Sequence, residues 1–178
     1  MRARVLTAFA LSFIGGAVAI FGAAAFAGRL LIFATVPMQW RVGSAAAIFI
    51  ALATLDVGAI RRKDYCPIGW RRQTPQRIGR YAGPMLSAAI WGFDTGLAVT
   101  TFRVAAITWA ALSMTLLGLA SWWIGLAYGL GFTLPMLCLL VARTADSESL
   151  RHALSRRPLL QSCSAIALVA CAVSLLFF

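Results

Sequence analysis

The residues of this 178-residue chain that could do chemistry are few and widely spaced. Its four cysteines, Cys66, Cys138, Cys163 and Cys171, form no Cys-x-x-Cys pair and show no metal-ligand spacing. Small buried packing residues are the default for such cysteines, and Cys66 beside Pro67 reads as an unpaired loop thiol. Only Cys138 and Cys163 sit about one turn inside the same end of their apolar runs, so they are the candidate redox pair. A second set is polar: Asp56, Asp94, Thr100, Thr101 and Arg103 all fall within or beside apolar stretches. An ionisable residue in a membrane span is expensive, and it lines a cavity, contacts a partner or marks a pathway. Asp94 and Arg103 would be about 13 Å apart on a straight helix, so a direct pair needs a break in that helix or a partner from another span. Asp56 lies just before Arg61-Arg62-Lys63, so an interfacial ion pair with a partner such as Arg61, or a snorkelling arrangement, is the expected role ahead of a functional carboxylate. The lone His152 stands among arginines and offers no haem or zinc site, and no nucleotide-binding loop, catalytic triad or carboxylate pair is evident. No cofactor is assigned: pigment, haem and lipid are all open.

The elements that must position these residues are membrane helices. Hydrophobic residues make up 61% of the chain and mean hydropathy is +0.86, which excludes an ordinary soluble domain. The net charge of +11 comes from short flanks of apolar runs, so it points to anionic lipid headgroups and not to nucleic acid. The pattern predicts an all-α, polytopic membrane protein with a single domain and about five spans, near 5–27, 43–60, 83–117, 120–142 and 158–178. The first run is too long for a signal-peptide core and is expected to be retained. Its Gly15, Gly16, Ala19 and Gly22 permit close helix contact. Pro37, Trp40 and Arg41 suit an outer connection, Trp122 and Trp123 an aromatic belt, and Pro158 a helix start.

Arginine placement sets the orientation. Arg2 and Arg4, seven basic residues from Arg61 to Arg80, and four from Arg143 to Arg157 can all share one face. Arg29 and Arg41 fall on the other. Under the positive-inside bias, the loops 61–80 and 143–157 are cytoplasmic, the N-terminus is cytoplasmic and the C-terminus is external, in a bacterial-type inner membrane. Two crossings between residues 81 and 142 satisfy this arrangement and three do not. The stretch 83–117 would be about 50 Å long as one straight helix against a core near 30 Å, so it must be broken, around Thr95–Arg103.

At that broken span the chain resembles the cytochrome c biogenesis and thiol-disulfide interchange family of the CcdA/DsbD type. Gly92-Phe93-Asp94-Thr95-Gly96-Leu97-Ala98-Val99-Thr100 looks like the run into that family's Thr-Pro-Cys motif. Leu126-Ala127-Tyr128-Gly129-Leu130-Gly131-Phe132-Thr133-Leu134-Pro135 resembles its Tyr-x-Leu-Gly-x-x-x-Pro helix. The likeness covers most of the chain but begins at the family's second helix. The family carries electrons across the membrane through one cysteine on its first helix and one in Thr-Pro-Cys. Here Thr100 matches the motif, whereas Thr101 replaces the proline and Phe102 the cysteine. A phenylalanine cannot enter thiol exchange. The resemblance therefore implies a truncated, redox-inactive relative.

Three functions follow as expectations. The first is an accessory or assembly subunit of a larger membrane complex, docking other subunits on the small-residue faces of its first two helices. The second is a transmembrane thiol relay through Cys138 and Cys163, with a thioredoxin-like partner and a role in cytochrome c maturation. The third is a small-solute or ion transporter whose path is lined by Asp94 and Arg103.

Overall fold

A computed structural model describes residues 2–63, 83–98, 105–141 and 157–177, and every regular element among them is helical. In chain order these are α1 (Arg2–Gly28), α2 (Met38–Arg62), α3 (Gly83–Gly96), α4 (Ile107–Leu116), α5 (Trp123–Val141) and α6 (Arg157–Leu176). Among the described residues three helical stretches, Ala3–Phe33, Met38–Arg62 and Pro158–Leu176, are long and apolar enough to cross a membrane. Apolar side chains also cover much of the outside: Leu11, Phe26, Leu31 and Ile166 are each at least 65% exposed. Such a surface is suited to hydrocarbon.

Where helices end follows from backbone chemistry. α1 continues past Gly28 as a wider π-turn, Arg29–Phe33, before Pro37 starts α2 with φ −56° and ψ 150°. The second helix thus begins earlier than its apolar run suggests. Trp40 and Arg41 are helical residues, and the connection shortens to 34–37. α2 closes on Lys63 at φ 54°, whose N–H donates to the Ala59 and Ile60 carbonyls, while Arg61 and Arg62 complement the negative end of the dipole. The stretch expected to hold a broken span contains two helices: α3 stops at Gly96, Ala98 takes φ 61°, and helix resumes at Ile107. α4 in turn stops where Gly118 adopts φ 68°, open to glycine at no steric cost.

The helices pack as two groups. α1 lies against α3 and α5, α2 lies against α6, and α4 touches α1, α2 and α6 and so joins them. Between α1 and α3 the contact is backbone to backbone. A Cβ on Gly16 would strike the Phe93 carbonyl oxygen, one on Gly92 the Phe9 carbonyl, and one on Gly96 the Phe13 carbonyl. On the neighbouring face of α1 the fully buried Phe13 stacks on Phe132 of α5, with centroids 4.5 Å apart and planes at 8°. Phe21 completes that seam against Tyr128. The α2–α6 group instead has a hydrophobic core of Ala46, Phe49, Leu52, Ala53, Ala165, Leu168 and Ala172, mostly aliphatic, which takes in Ala106 and Ala110 of the α4 segment.

Candidate functional site

Asp56 is the most deeply placed ionisable group among the described residues, with none of its surface exposed. The helical period of α2 puts it on the same face as Phe49, Leu52, Ala53 and Ala59, and that face turns toward α6 and α4. Its partner is not Arg61, which is exposed on another side of the helix. The Ala106 backbone N–H donates to both carboxylate oxygens, at 3.0 Å to Oδ1 and 3.2 Å to Oδ2. Ala106 caps α4, so the carboxylate meets the positive end of a helix and satisfies a donor that has no partner within that helix. A helix terminus at this depth therefore replaces the expected arginine.

Two polar residues of α6 join this environment. Ser164 faces the Asp56 carboxylate, and Gln161, fully buried, lies one turn earlier on the same side. Trp109 of α4 packs against the adjoining core with its indole N–H unpartnered. The cluster thus sets one carboxylate among neutral hydroxyl, amide and indole groups, and no group of three or more metal-ligating side chains occurs among the described residues. Its evident chemistry is to fix the break between α3 and α4 in place.

The other expected site residues are dispersed. Asp94 is half-buried near the end of α3, next to Thr95, whose hydroxyl donates to the Trp91 carbonyl one turn back at 2.7 Å. Thr100, Thr101 and Arg103 lie outside the described residues, as do most of the basic loop 61–80 and the loop 143–157. Cys163 and Cys171 are free thiols on the exposed side of α6. Cys138 belongs to α5, but its side chain lies outside the described residues. α5 packs on α1 and α6 on α2, so helix pairing does not itself draw Cys138 and Cys163 together.

Arg41, expected in an outer connection, belongs to α2 and is only 7% exposed. Its Nη1 donates to the Leu117 carbonyl at 3.4 Å, and its guanidinium lies 4.8 Å from the centre of the Phe33 ring. Gly118 makes room for it: a Cβ there would stand 3.2 Å from Nη1. Nothing in the sequence marks this burial, because the residues that enclose Arg41 come from Phe33 and from the turn after α4. Ser164 and Gln161, by contrast, carry a signal that could have been read. They share a helical face with Ala165, Leu168 and Ala172, a polar pair on an otherwise apolar stripe.

Comparison with protein-family models, with curated proteins and with solved structures gives no match for this chain.

Proposed function

We propose that the chain is a redox-inactive, CcdA/DsbD-like integral membrane protein that acts as an accessory or assembly subunit of a larger complex. In this reading it sits in a bacterial-type inner membrane as a multi-pass protein, N-terminus cytoplasmic and C-terminus external. The supporting observation is a second small-residue stripe on α1. Gly16 is consumed by the contact with α3, yet Gly15 and Gly22 have no atom within 4 Å of where a Cβ would stand. Ala19 between them is exposed. Small residues at this spacing let another membrane helix approach as closely as α3 does. The arrangement of Asp56 agrees with a scaffold role, since its carboxylate is held by a helix terminus.

Gentle native extraction followed by mass spectrometry of the intact assembly tests the proposal. A stoichiometric partner subunit is expected, lost on Gly15→Leu with Gly22→Leu and retained in a cysteine-free variant. Recovery of a stable monomer with no partner overturns it. Loss of the assembly in the cysteine-free variant alone favours the thiol relay.

A further inference from the structure

The end of the molecule that carries Pro37 holds a buried positive charge, Arg41, and no acidic side chain among the described residues meets it. Arg41 is more than nine-tenths buried, and among the described residues its Nε has no hydrogen-bond partner and its one carbonyl contact is long at 3.4 Å. The five acidic residues of the chain are Asp56, Asp64, Asp94, Asp146 and Glu148. Of these, Asp56 and Asp94 are described, and neither lies in the segments that build this end, 28–41 and 115–123. A buried cation is normally balanced by an anion and further hydrogen bonds.

Beside Arg41 there is a cavity of about 650 Å³. Phe33 and Gly118, two residues against which the guanidinium rests, form part of its wall, together with Ala25, Arg29, Ser121, Trp122 and the turn after α4. Arg29 thus faces the cavity directly, and Arg41 places a second charge against its wall. Trp122 stacks on Trp123 with centroids 3.9 Å apart, an aromatic pair of the kind that settles at headgroup depth. Leu30, Leu31 and Trp40, all exposed, surround this end with apolar surface.

We propose that this cavity binds the phosphate of an anionic phospholipid from the leaflet at the Pro37 end, with Arg29 contacting it and Arg41 fixing the sign of the site. The proposal is independent of the subunit reading, because it concerns the α1–α2 and α4–α5 turns and not the open stripe of α1. A guanidinium presents planar, paired donors that match phosphate oxygens.

The test uses the full chain, stripped of lipid in detergent and returned to bilayers of equimolar phosphatidylglycerol and phosphatidylcholine, with retained lipid read by native mass spectrometry. Two basic residues near a membrane surface predict enrichment of phosphatidylglycerol on the order of tenfold or more. Arg29→Gln, an exposed position that leaves folding intact, should cut it several-fold, and Arg29→Gln with Arg41→Gln should abolish it. Ala25→Leu keeps both charges but narrows the cavity, and it should also reduce retention. Equal retention of the two lipids by the unaltered protein, or unchanged enrichment in the double variant, overturns the proposal. Displacement of phosphatidylglycerol by millimolar inorganic phosphate would assign the site to free phosphate and overturn the lipid source.

Discussion

The two halves of this bundle solve the same problem by different means. On the α1 side, glycines remove side chains so that backbones touch, with Gly16, Gly92 and Gly96 each set against a carbonyl of the opposite helix. On the α2–α6 side, side chains fill the gap, and a single carboxylate ties the group to α4. In lipid neither half gains from expelling water, so association rests on van der Waals contact and on polar groups finding partners. The glycine seam depends on shape and tolerates no added atom. The alanine and leucine seam is less strict about shape, but it must supply acceptors wherever the chain leaves helix.

The sharpest way to break this comparison is at Gly96. Gly96→Leu should destabilise beyond the roughly 3 kcal/mol usual for overpacking, because the obstacle is the Phe13 backbone and cannot move aside. Unfolding by denaturing detergent reads this directly. In the other half Leu168→Ala, at a position 2% exposed, should cost about 2 to 3 kcal/mol by the same assay while leaving the helices paired. If the two substitutions cost the same, the distinction between the seams is wrong.

These differences set the limit of what could be read in advance. That the described residues form helices, with long apolar ones among them, follows from composition and run length, since lipid leaves the backbone few alternatives. The interruption between α3 and α4 falls in the stretch too long to cross once. The roles of neighbouring glycines were not legible. Gly15 and Gly16 are identical in type and adjacent, and only the direction of α3 decides that one is buried and the other open. Asp56 was found as a polar residue in a span, but its partner is a backbone N–H fifty residues away. A backbone donor has no side-chain signature.

A third prediction sharpens the polar end of the comparison. Asp56→Ala should leave the Ala106 N–H without its acceptor and cost about 1 to 3 kcal/mol. Asp56→Asn, which retains an acceptor oxygen, should cost less. Hydrogen exchange at the start of α4 should accelerate in the alanine variant and change little in the asparagine variant. The smallest effect is expected at Gly15, where Gly15→Leu meets open space and should shift stability by less than about 0.5 kcal/mol. A large loss there would mean that the open stripe of α1 is not free to receive another helix.

The bond between Asp56 and Ala106 also imposes an order of events on a growing chain. Synthesis delivers the acceptor first, so α2 enters the membrane with its carboxylate unmet, at an insertion cost below the roughly 3 kcal/mol of an aspartate at a helix centre, because Asp56 lies nearer the end of α2. Relief comes only when the donor at residue 106 emerges, and the α6 residues that enclose the carboxylate follow later still. A nascent chain halted after α2 would therefore be held in the bilayer less firmly than the finished protein, and α4 serves as the latch that secures a helix made well before it.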